Sequence, residues 1–247
     1  EAQRVDLLAT LKAQLLAATA TVLLGRLGKP HNLKLLTAFT GSYLMGLTCL
    51  HLLPEVFIHA SREHPESSWQ IGAFILVGFF VQIVLENFSR GLEHGHAHTP
   101  HGPLPYSMLA GLCLHAFLEA TPLGVSAHAH GHAHNNTLLL AAIAIHKYPV
   151  AIVLLAMLLQ SGISRRKAFA LLGVFTVMAP LGALAGTIPV LAKHHDWLLA
   201  MVIGIFMHVA TTILFETEEG HRVNLQKCIA IVLGVALAIG TIVLPIH

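Results

Sequence analysis

The sequence is poor in charge. Only 11% of its 247 residues are Asp, Glu, Lys or Arg, where a soluble globular domain carries about 25%. With 55% apolar side chains and a mean hydropathy of +0.72, that deficit excludes a soluble domain, a disordered tail and a nucleic-acid binder. Lys and Arg number 14 against 12 Asp and Glu, and no basic stripe is present to track phosphates. Cysteine is scarce as well. Cys49, Cys113 and Cys228 each fall in an apolar run without C-x-x-C spacing, so neither a disulfide framework nor a thiolate metal site is expected. No His-Glu-x-x-His pair occurs, and no connection between apolar runs is long enough to hold a soluble domain. The sequence opens at Glu1 rather than at a methionine, as it would after a leader was removed or omitted.

What is present is apolar length. Eight stretches, at 6–25, 33–57, 69–89, 106–127, 137–161, 168–192, 197–217 and 226–246, approach or exceed the roughly 20 residues of a membrane-crossing helix. The expected fold is an all-α integral membrane protein: one transmembrane domain over 1–247, with eight helices in a lipid bilayer. The first stretch is the weakest, because Lys12 and Gln14 interrupt it. Orientation follows from the basic residues on alternate connections. One side holds Arg26, Lys29, Lys34, Arg90, Arg165, Arg166, Lys167, Arg222 and Lys227; the other holds Arg4, Lys12, Arg62 and Lys193. The richer side is assigned to the cytoplasm, which places both termini outside.

Nineteen histidines are the second abnormal count. Ionisable groups at membrane depth cost several kcal/mol unless paired, and they face a cavity or a partner. His115 and Glu119 are four apart in the fourth stretch, on one helical face. His146 lies at a similar depth in the fifth, followed by Lys147. Two imidazoles and a carboxylate suit zinc and leave a position for another ligand or water. Pro122 and Pro149 free backbone carbonyls beside this cluster. The bland alternative is a helical His115–Glu119 contact, with Glu119 pairing Lys147 to hold two helices together. His51 at the end of the second stretch, His208 at mid-depth in the seventh and Glu216 at its inner end complete the candidates. Two His-rich connections, 93–101 and 128–134, alternate His with small residues and could capture a borderline divalent ion weakly.

Together these features resemble the ZIP (Zrt/Irt-like) family of metal transporters over essentially the whole chain. The resemblance rests on the eight stretches, the His-rich connection between the third and fourth, and His51-Leu52-Leu53-Pro54-Glu55. The family's fourth-helix motif, His-Asn-x-Pro-Glu/Asp-Gly, is matched at His115 and Glu119, with Ala116 and Leu118 replacing Asn and Pro. Its fifth-helix motif, His-Glu-x-Pro, is matched at His146 and Pro149; Lys147 replaces the acid, and Val150 follows the proline. In Met178-Ala179-Pro180-Leu181-Gly182, Ala179 stands where family members can carry Glu. The resemblance therefore implies a single-metal site at His115, Glu119 and His146, with the Lys147 ammonium standing where a second cation would sit. It further implies Tyr43 facing the site, an inverted-repeat bundle, and a homodimer. Helices one, four, five and six would move against a scaffold of two, three, seven and eight. Gly41, Gly46, Gly72, Gly78, Gly173, Gly182 and Gly186 offer close helix contacts.

The expected function is uptake of a divalent cation through the cell membrane by alternating access. Zinc (Zn2+) leads, and cadmium, iron and manganese ions are compatible with the same ligands. Two other readings stand beside it. One is a metal sensor or scaffold that binds without translocating. The other is a membrane-embedded zinc hydrolase, which would leave Glu119 as ligand and no evident general base.

Overall fold

The computed structural model describes residues 30–63, 68–89, 106–125, 133–215 and 225–243. The stretch at 6–25, Glu216 and the side chains of both His-rich connections lie outside the described residues. Among the described residues all regular structure is helical. The order is α1 (Pro30–Leu47), a π-turn (Thr48–Leu52), α2 (Leu53–Glu63), α3 (Ser68–Ser89), α4 (Tyr106–Val125) and α5 (Ala133–Gln160). It continues with α6 (Arg165–Gly186), α7 (Pro189–Ala192), α8 (His195–Phe215) and α9 (Leu225–Val243). Six of these segments are long and apolar enough to cross a membrane: 33–61, α3, α5, α6, α8 and α9. α4 has 20 residues but carries His115, Glu119 and Pro122, and it is not among the six.

Local chemistry sets several boundaries. Ser164 is extended, and its hydroxyl accepts from the Lys167 N–H at 3.4 Å, capping α6. The Arg165-Arg166-Lys167 cluster, expected in a connection, therefore forms the first turn of α6. α6 stops at Gly186 rather than running to 192. Ile188 precedes Pro189 and is held extended, and the proline then opens α7. The second apolar stretch runs past 57 to Glu63, with a π-turn at Thr48–Leu52 just ahead of Pro54. Both Pro122 and Pro149 lie inside continuous helices. Each removes one backbone donor without breaking its helix.

The helices group into two units. Among the described residues the first comprises 83–193 and the second 30–82 with 194–243. In the first, α4 and α6 meet backbone to backbone. Gly182 stands against the Phe117 carbonyl, Gly186 against that of Thr121, and Gly124 against that of Ala183. In the second, Gly78 meets the Met201 carbonyl and Gly204 that of Ile75, joining α3 to α8, while Gly234 of α9 meets the Phe39 carbonyl of α1. Gly72 and Gly173, expected at contacts, face open space instead.

Candidate metal centre

In the first unit His115 and Glu119 sit one turn apart on α4, and His146 and Lys147 follow each other on α5. None of the four is more than 4% exposed. The Glu119 carboxylate divides its two oxygens. Oε2 lies 3.3 Å from His115 Nε2 and 3.0 Å from His146 Nε2, while Oε1 lies 2.5 Å from Lys147 Nζ. The two imidazoles stand nearly perpendicular, with centroids 6.1 Å apart. One ligand atom from each of His115, Glu119 and His146 falls within 4.8 Å of the others.

These separations suit a small cation. Two ligands at the usual zinc distances of about 2.0–2.1 Å, set tetrahedrally, lie roughly 3.3 Å apart. Only small ring movements separate the observed carboxylate–imidazole pairs from that spacing. The tautomer of His146 adds to the argument. Its Nδ1 donates to the Ala142 carbonyl at 2.9 Å, since a carbonyl oxygen can only accept. That leaves Nε2 turned toward the Glu119 carboxylate. Nε2 and a carboxylate oxygen 3.0 Å apart can be bridged by a cation or by a proton. A backbone carbonyl that fixes the tautomer of a ligating histidine is the usual support of such a site.

Lys147 is held on three sides. Besides Glu119, its ammonium donates to the Ala116 carbonyl at 3.4 Å and lies 5.9 Å from the centroid of Phe175, on α6. Ala116 and Ala179 are fully buried, and Val150 is 7% exposed. Sequence reasoning found His115, Glu119, His146 and Lys147, and the structure brings all four together. It missed the roles of Ala142, Ala116 and Phe175. Only Ala142 left a signal, its spacing of four from His146.

The remaining candidates lie in the second unit or outside the described residues. Tyr43 is fully buried in α1. His51 lies in the π-turn with Nε2 3.6 Å from Glu55 Oε2. His208, on α8, meets Phe79 edge-on at 4.9 Å, and its carbonyl accepts from the hydroxyls of Thr211 and Thr212. Glu216 is outside the described residues.

Comparison with known proteins follows the same line. The profile of the family described as ZIP Zinc transporter matches residues 101–241, more than half of the chain and all of the His115/Glu119/His146 centre. Zinc transporter ZIP9 of Xenopus tropicalis is 28% identical over 170 residues, 62% of this chain and 55% of that relative. The chain thus spans about half the length of the curated relative it matches. Taken with six membrane-length helices among the described residues and a buried His/Glu cluster, the profile match makes this multi-pass membrane protein a member of the ZIP zinc transporter family.

Proposed function

We propose that the chain carries a divalent metal ion, zinc foremost, across the cell membrane into the cytoplasm, by alternating access around His115, Glu119 and His146. The observation that carries this reading is the buried meeting of two imidazoles with one carboxylate oxygen, where the Ala142 carbonyl holds the His146 ring with Nε2 toward that oxygen. Three protein ligands leave a tetrahedral position for water or an arriving ligand, which suits an ion that must leave again. Cadmium, iron and manganese ions belong to the same proposal, since imidazole and carboxylate accept all of them.

In this reading the eight apolar stretches form one transmembrane domain with inverted repeats and with both termini outside. Tyr43, His51, His208 and Glu216 contact the ion on its way in or out. Lys147 takes the place of a second cation: its ammonium lies against the Ala116 carbonyl, at the position where the family motif carries Asn. A homodimer fits the exposed apolar stripe of Leu76, Phe80, Val84 and Phe88 on α3. The Lys147–Glu119 ion pair also supports a second reading, binding without translocation, because an engaged carboxylate holds the two helices together. Family membership argues against the hydrolase.

The test is zinc and cadmium uptake into sealed proteoliposomes. Saturable uptake is expected, with an initial rate at least about tenfold lower in His115→Ala, which removes one of three ligands. Uptake by His115→Ala at the wild-type rate would exclude transport through this centre. Metal binding without uptake in the wild-type chain would favour the sensor.

A further inference from the structure

The second unit holds another meeting of imidazole and carboxylate. His59 of α2 and Asp196 of α8 bring Nδ1 and Oδ2 to 2.9 Å, with side chains 31% and 18% exposed. Below His59 on the same helical face come Glu55 and then His51, at intervals of four residues, with His51 Nε2 3.6 Å from Glu55 Oε2. On α2 and the preceding π-turn the face thus alternates imidazole, carboxylate and imidazole at four-residue intervals, and Asp196 of α8 meets it at His59. Asp196 is firmly placed. Its neighbour Trp197 is stacked on the Phe74 ring (5.1 Å, 10°) and on the His194 ring (4.5 Å, 7°).

We propose that the His59–Asp196 pair is a second, weaker divalent-cation site, which passes ions along Glu55 to His51. The inference rests on the transport reading above for its direction, but the site itself stands on this geometry. Nδ1 and Oδ2 at 2.9 Å need to part only slightly to admit an ion with zinc-like bond lengths, for which adjacent ligands lie roughly 3.3 Å apart. Partial exposure lets a hydrated ion reach both atoms and keep waters in its remaining positions. Two protein ligands bind less tightly than the three of the central cluster. The N-terminal end of α8, positive by its backbone dipole, weakens the hold further. Weak binding is what a relay requires, since a tight site would retain the ion.

A plain structural clip between α2 and α8 predicts different behaviour, and two substitutions separate the two roles. His59→Asn keeps a donor for the Asp196 carboxylate but is a poor ligand for zinc or cadmium. His59→Cys loses the imidazole donor and supplies a thiolate, a strong cadmium ligand. In proteoliposomes His59→Asn is expected to raise KM for cadmium by roughly tenfold with the maximal rate kept, and His59→Cys to restore KM to within about twofold of wild type. Wild-type KM in His59→Asn, or equal impairment in both variants, would overturn the proposal.

A readout independent of transport accompanies it. Cadmium titration of detergent-solubilised His59→Cys should add a cadmium–thiolate ultraviolet band over the wild-type chain. Adding Asp196→Asn should move its midpoint roughly tenfold higher. An unchanged midpoint would remove Asp196 from the site and sink the idea. If wild-type chain and His115→Ala both fail to take up metal, the transport reading falls, while this titration still decides the site.

Discussion

Glu119 is the residue on which the central cluster turns, because its two oxygens serve different partners. Oε2 faces two imidazoles and Oε1 faces the Lys147 ammonium. A carboxylate with no exposed surface cannot be left uncompensated: breaking a buried ion pair from one side costs about 3–5 kcal/mol. Lys147→Met should therefore lower the melting temperature of the metal-free chain in detergent. Zinc should recover more of it than in wild type, since the ion then supplies the only strong positive charge beside Glu119. Adding Glu119→Gln should restore metal-free stability and remove the extra zinc response of Lys147→Met. Equal zinc-induced shifts in Lys147→Met and wild type would show that the lysine does not compensate this carboxylate. The four polar members of the cluster were legible in the sequence, because helical spacing fixes the His115–Glu119 face and span depth brings His146, with Lys147 beside it, level with them. The Ala116 carbonyl and the Phe175 ring were not. Both act on Lys147 only through the packing of α4, α5 and α6, which no local pattern encodes.

At the scale of elements, the site depends on how closely α4 approaches α6. Gly182 lies against the Phe117 carbonyl and Gly186 against that of Thr121, and these two carbonyls bracket Glu119 in the sequence of α4. Without a driving force from water, membrane helices associate by such close packing of small residues. A methyl group on Gly182 has no room and must push α4 away, taking Glu119 from His146 and Lys147 on α5. Overpacking of this kind costs about 1–3 kcal/mol. Gly182→Ala should lower thermal stability and weaken cadmium binding by up to about tenfold, whereas Gly173→Ala, on the same helix but with open space beside it, should change neither. Matching behaviour of the two variants in a cadmium titration would disprove the account. Sequence singled out Gly182 and Gly173 alike, because composition reveals small residues but not which of them meets a neighbour. The π-turn at Thr48–Leu52 has a local source that span-reading passed over: Pro54 follows it, and with no N–H for the Leu50 carbonyl its ring pushes the preceding turn wider. Conversely, the prolines at 122 and 149, which are local breakers, sit in helices that continue through them.

For the whole molecule, the described helices fall into two units. α4, α5 and α6 fall in one, and α1, α2, α8, α9 and most of α3 in the other. Apolar length made most of these elements legible in advance, while the exact ends were decided by caps and prolines that length does not report. Orientation is a separate question, decided by charge. α6 rises about 33 Å over its 22 residues, enough to cross the hydrocarbon core. Arg165, Arg166 and Lys167 begin it, and Lys193 follows α7 just beyond its far end. Basic residues next to a span are retained in the cytoplasm, and three consecutive ones outweigh a single lysine. Single-cysteine chains, in a background where Cys49, Cys113 and Cys228 are replaced by alanine, make this measurable in sealed cells. A membrane-impermeant maleimide should label Lys193→Cys directly and Arg166→Cys only after permeabilisation. Replacing Arg165 and Lys167 by glutamine in the Arg166→Cys chain should let part of the population label from outside, because the asymmetry that fixes α6 would then be lost. The reverse labelling pattern in the two parent chains would invert the transport direction proposed here, making the same metal centre serve export from the cytoplasm.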